Sequence, residues 1–156
     1  MSGEVPPRLA RMVLVRHGEA EGNRELRYLG DHDAPLTERG LAQADQVAAA
    51  LQVFGIETVY TSPLGRALET GRAIARVTKS PLRVEPDLRE MSYGAWEGLL
   101  HADVVARDPE LLRQWASDPD TAPPGGESLR AMYARVIACA DRIAGFFMTQ
   151  LLRQLR

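Results

Sequence analysis

The chain has 156 residues, enough for one domain with a core of its own and no disulfide or metal staples. Its formal net charge of −2, with 45 % hydrophobic and 26 % charged residues, gives no bulk attraction to nucleic acid or an anionic membrane, so any anion site has to be local. Cys139, the single cysteine, excludes an intrachain disulfide and a cysteine-built zinc site within one chain, and no apolar run approaches the ~20 residues that span a bilayer.

The N-terminal MSGEVPPRLAR lacks the apolar segment of a signal peptide, so a cytoplasmic protein forming one domain over residues 1–156 is expected. Met12 to Val15, apolar and partly β-branched between Pro6-Pro7 and Gly18, reads as a buried strand with Arg16-His17-Gly18 at its C-terminal end. Thr37 can cap a helix that runs to about Phe54, with Leu41, Ala44, Val47, Ala48 and Leu51 at helical spacing and Gly55 as the stop. Ile56 to Ser62 is β-branched and aromatic enough for a second strand; Ser62 and Pro63 then open a helix to about Val77, and Leu82 to Glu85 supplies a third strand. This alternation predicts a mainly parallel α/β sheet flanked by helices, a fold in which sites gather at the C-terminal ends of strands.

Beyond the third strand, LREMSYGAWEGL (Leu88 to Leu99) reads as a glycine-punctuated loop. Asp108, followed by Pro109, starts a short helix through about Trp115; Asp118 to Ser128 is a second long loop; and from Glu127 or Ser128 a helical pattern reaches the last residue. Trp96 and Trp115 read as core or hinge aromatics and Cys139 as a small packing residue.

Three clusters carry candidate chemistry. In LVRHGEAEGN, Arg16 offers a permanent planar cation suited to phosphate oxygens, Gly18 lets backbone turn close to a bound group, Asn23 adds a neutral donor, and nearby cations keep a His17 nitrogen unprotonated and nucleophilic. Arg66, in the first turn of the helix after the second strand, stands where an anion is favoured. Glu90, by composition a loop carboxylate, can protonate a leaving alkoxide if it shares a pocket with the other two clusters.

The segments LVRHGEAEGN, DAPLTERGLAQA, YTSPLGRALETGRAI, LREMSYGAWEGL and PPGGESLRAMYARV resemble, in this order, the histidine phosphatase superfamily of phosphoglycerate mutase-like enzymes, and within it the short α-ribazole phosphatase-like and broad-specificity branch. The resemblance covers about residue 12 to residue 145. It implies a phosphatase for small phosphorylated metabolites, with His17 as the nucleophile that becomes phosphohistidine and Glu90 as the proton donor. It also implies that Arg16, Asn23 and Arg66 hold the phosphate oxygens and that neither metal nor cofactor is needed.

The family pattern also has a strand and a second pocket histidine after the long helix, and no such segment occurs here. His101 reads as the start of a surface helix and His32 as a solvated loop residue, so neither is expected to substitute. The expectation is a sheet whose C-terminal part is replaced by a long terminal helix, and an enzyme slowed by the missing histidine. The alternative is a catalytically inactive relic that binds phosphate or a partner. Leu129, Met132, Val136, Ala140, Ile143, Phe147, Leu151 and Leu155 form a stripe of threes and fours. The tail reads either as the unselected end of a truncated or frame-shifted chain, or as a segment whose Phe146, Phe147, Met148, Leu151 and Leu152 bury themselves against a second copy, making a homodimer, or against the sheet surface left open. The substrate stays open, because the loops at Asp118 to Ser128 and Leu99 to Asp108 carry generic polar groups.

Overall fold

The computed structural model describes residues 11–154, with side chains described as far as residue 145. Helix α1 (Glu38–Leu51) begins where Thr37 Oγ1 accepts the Gly40 amide at 3.0 Å, and its buried residues Gly40, Ala44, Ala48 and Leu51 follow one another at helical spacing. A 3₁₀ turn over Gln52–Phe54 follows, and Gly55 ends it at φ +63°, in the left-handed region.

Strand β1 (Val59–Thr61), helix α2 (Gly65–Thr78) and strand β2 (Leu82–Val84) form a crossover unit. The two strands pair in parallel, in the register Val59–Leu82, Tyr60–Arg83, Thr61–Val84. Ala48 and Leu51 of α1, Val59 of β1 and Ile74 of α2 make the main core cluster, with Val47, Ile56, Val77 and Leu82 packed against it. Burying a residue such as Leu51, Val59 or Ile74 is worth roughly 1.5–3 kcal/mol each, which is why a two-stranded ladder holds once helices pack against it.

Helices α3 (His101–Arg107) and α4 (Pro109–Ser117) follow the glycine-punctuated loop, with Pro109 in the first turn of α4. Trp96, fully buried in a 3₁₀ turn over Gly94–Trp96, donates its indole N–H to Asp108 Oδ2 at 2.7 Å and so ties that loop to the α3–α4 junction. The long helix α5 (Leu129–Gln154) starts after Ser128, whose Oγ accepts the Ala131 amide at 3.2 Å, and packs against a 3₁₀ turn over Pro86–Leu88. Its 26 residues span ~39 Å. Cys139 and Ile143 are its buried residues, whereas Leu129 of the expected stripe is half exposed; Phe147, Leu151 and Leu155 lie outside the described side chains. Among the described residues no helix is long and apolar enough to cross a membrane.

Three expectations need correction. Met12 to Val15 is not a buried strand: it belongs to no ladder among the described residues, and Leu14 is 88 % exposed. An apolar, β-branched run becomes a strand only where a neighbour accepts its amides, and among the described residues β1 pairs with β2 alone. The second strand is shorter than Ile56 to Ser62, covering only Val59–Thr61, the residues that face β2. Helix α2 begins at Gly65 and not at Ser62. The Gly65 amide donates to Asp33 Oδ1 at 2.6 Å, so the capping carboxylate comes from a distant loop, while Ser62 Oγ only accepts the Leu64 amide at 3.3 Å.

Candidate active site

The segment carrying His17 is fixed by close backbone packing. A Cβ on Gly18 would collide with the Gly40 carbonyl and one on Gly40 with the Glu19 carbonyl, so two glycines let the start of α1 run directly against residues 18 and 19. Thr37 reinforces the crossing: its amide donates to Glu19 O at 2.9 Å and its hydroxyl to Glu19 Oε1 at 2.9 Å. From the other side, the buried hydroxyl of Thr70 on α2 accepts the Gly18 amide at 3.2 Å and donates to Arg66 O at 2.8 Å. One side chain thus joins the backbone next to His17 to the first turn of α2.

His17 Nδ1 lies 2.7 Å from Gly18 O. A carbonyl oxygen only accepts, so Nδ1 carries the hydrogen and the lone pair of the neutral ring sits on Nε2. Burial lowers the His17 pKa below its ordinary 6.5, with help from the Arg66 and Arg16 cations and against the opposing effects of the Gly18 hydrogen bond and the Glu90 carboxylate.

Arg66 is almost fully buried, and its Nη1 and Nη2 donate to the carbonyls of His32 and Gly30, each at 2.8 Å. Burial pulls its pKa down while the carboxylates of Glu90, Asp33, Asp31 and Glu97 oppose this, and the guanidinium remains a cation at any physiological pH. Asn23 Oδ1 accepts the Ala20 amide at 2.8 Å, which leaves the NH₂ end for a ligand oxygen. Glu90 Oε1 accepts the amide of Met91 at 2.9 Å on an otherwise exposed residue, leaving Oε2 for another partner.

All five residues singled out in the sequence, Arg16, His17, Asn23, Arg66 and Glu90, line one cavity of about 410 Å³. Two guanidiniums, an amide, an imidazole with a free lone pair and a carboxyl group thus share it, a set of groups chemically suited to binding a phosphoryl group. Among the described residues no three His, Cys, Asp or Glu side chains converge as they would around a metal ion.

The cavity has a second wall that sequence reasoning did not find. Tyr28 and Tyr93 meet edge to face with centroids 5.0 Å apart, and Tyr28 OH lies 2.9 Å from Nδ1 of His101; all three line the cavity. His101 does start α3, as its context indicates, but it also borders the cavity, whereas His32 is exposed and contributes only its carbonyl. No spacing signals this wall, because its members come from three separate loops and helix ends.

Residues 12–150 match the family model described as histidine phosphatase superfamily (branch 1). A bifunctional protein of Mycobacterium tuberculosis is 42 % identical over 134 residues, covering 85 % of this chain and 37 % of that protein. Phosphoserine phosphatase 1 of Hydrogenobacter thermophilus is 36 % identical over 129 residues, covering 82 % of this chain and 61 % of the relative. The crystal structure of a putative α-ribazole-5′-P phosphatase from Escherichia coli superposes with a TM-score of 0.77 at 34 % identity, covering 85 % of this chain and 66 % of the other. The chain therefore spans less than two thirds of the length of each of these relatives.

Proposed function

Because the chain belongs to the histidine phosphatase superfamily, we propose that it is a metal-independent phosphatase that hydrolyses small phosphomonoesters through a phosphohistidine on His17. The observation that carries this reading is the Nε2 lone pair of a neutral His17 sharing a cavity with the buried Arg66 cation and the Glu90 carboxyl.

In the first step the Nε2 lone pair forms the N–P bond as the bond from phosphorus to the ester oxygen breaks. Glu90, protonated, gives its hydrogen to the departing oxygen and becomes the carboxylate. Arg16, Arg66 and the Asn23 amide bind the three non-bridging oxygens, where the charge of the transition state is spread. In the second step water attacks phosphorus, the Glu90 carboxylate takes the water proton, and the N–P electron pair returns to His17 with release of phosphate. Two of the relatives are named for phosphoserine and for α-ribazole-5′-P, and a small phosphorylated metabolite fits a cavity of this volume.

The test is phosphate release from p-nitrophenyl phosphate by the purified chain in excess EDTA, paired with His17→Ala. Turnover abolished by the substitution, with an acid-labile and base-stable phosphoprotein trapped only in the wild type, is expected. Equal rates for the two proteins would overturn the reading.

A further inference from the structure

The segment PPGGESLRAMYARV has no part in the chemistry above, yet it reaches the backbone of the proposed proton donor. Arg135, in the second turn of α5, is 14 % exposed at its side chain. Its guanidinium forms a double hydrogen bond with Glu127, Nε to Oε1 at 2.9 Å and Nη2 to Oε2 at 2.5 Å. The remaining N–H groups all go to one short stretch: Nη1 donates to the carbonyls of Asp87 and Arg89, each at 2.8 Å, and Nη2 to the carbonyl of Glu90 at 3.1 Å. On the far side of Glu90, the Glu127 amide donates to Ser92 O at 2.8 Å. Carbonyls on both flanks of Glu90 are thus held by one ion pair.

Such a pair is costly to bury, and its cost is offset only when every donor is used in good geometry. The planar fork of arginine can meet three carbonyls and a carboxylate at once, which a lysine ammonium cannot. Glu90, meanwhile, has an exposed side chain whose one hydrogen bond among the described residues is to its neighbour's amide, so the direction of its carboxyl depends on where the backbone of residues 87–92 is held.

We propose that Arg135, aligned by Glu127, is a positioning residue for Glu90: by fixing the carbonyls of residues 87, 89 and 90 it aims the proton donor at the leaving oxygen. This rests on the phosphatase reading. It follows that Arg135 matters most where the leaving group needs a proton. An alkyl phosphate must have its alkoxide protonated, whereas p-nitrophenolate departs without help.

The experiment compares Arg135→Gln with wild type on glycerol 2-phosphate and on p-nitrophenyl phosphate. For the alkyl ester kcat/KM should fall by about 10²-fold, the low end of what a placed proton donor contributes, with a far smaller fall for the aryl ester. In the double variant with Glu90→Gln the alkyl-ester loss should be no greater than for Glu90→Gln alone, since the two changes remove one effect. Equal losses on both esters, or losses that multiply in the double variant, would overturn the proposal. Should Arg135→Gln fail to fold, Arg135→Lys, which keeps the charge but not the fork, is put to the same comparison. If the wild type turns over neither ester, the phosphatase reading fails by itself. Amide hydrogen exchange then decides the clamp: acceleration in Arg135→Gln confined to residues 87–92 supports it, and unchanged or uniform exchange rules it out.

Discussion

The Nδ1 of His17 gives its hydrogen to the carbonyl oxygen of Gly18 at 2.7 Å, so the ring offers its other nitrogen to the cavity. Burial and the two neighbouring guanidiniums keep that ring neutral to a lower pH than an ordinary histidine. Protonation removes the nucleophile, so the acid limb of kcat/KM should rise with pH and have its midpoint below the ordinary histidine value of 6.5. Arg16→Ala takes away one of the cations and should move that limb upward. Direct titration of the ring by NMR in the two proteins checks the shift without reference to turnover.

Arg66 serves the site and its walls together, because the guanidinium donates to Gly30 O and His32 O from a buried position. Arg66→Lys keeps the charge and loses the fork. We expect kcat/KM to fall by about 10²–10³-fold, as on removal of one donor that stabilises transition-state charge. Inhibition by inorganic phosphate should weaken in parallel; an unchanged inhibition constant would show that Arg66 does not contact the phosphoryl group.

Thr70 bridges Gly18 N and Arg66 O. Thr70→Val preserves shape and leaves a buried amide without its acceptor, at an expected cost of about 1–3 kcal/mol. Thr70→Ser, which retains the hydroxyl, should recover most of the loss in a denaturant titration.

Gly94 has φ +52°, and an added Cβ would lie 2.5 Å from Gly126 N, against backbone that cannot swing aside. Gly94→Ala should cost about 1 kcal/mol from strain alone, and more from the clash with the loop that leads into α5. Gly55→Ala is the control, since its φ of +63° is similar but nothing lies within 4 Å; only the conformational penalty of about 1 kcal/mol remains. Equal effects at the two positions would mean that the contact between the loops is not formed in solution.

Much of this arrangement could be read from the chain because the signals were local. Thr37 and Gly55 bracket α1 by side chains and conformations acting within a few residues. The failures share one cause. Whether Met12 to Val15 forms a strand depends on a neighbour's free edge, and the start of α2 depends on Asp33, 32 residues away. The arginine of PPGGESLRAMYARV looks like one more charged position on a helix until its partners, 45 to 48 residues earlier, are placed beside it. Tyr28, Tyr93 and His101 likewise acquire a common role only once three separate segments meet.

Both tryptophans of the chain stand in the aromatic group behind the cavity: Trp115 lies edge-on to Trp96 at 5.8 Å and to Tyr93 at 6.0 Å, and Tyr28 touches the same group. Two rings of that group, Tyr28 and Tyr93, line the cavity, and Tyr28 lies against both Trp96 and Trp115, so an occupant that shifts Tyr28 changes the surroundings of both indoles. The protein therefore carries its own optical probe, and ligand occupancy can be followed by emission in the unlabelled, unmodified chain.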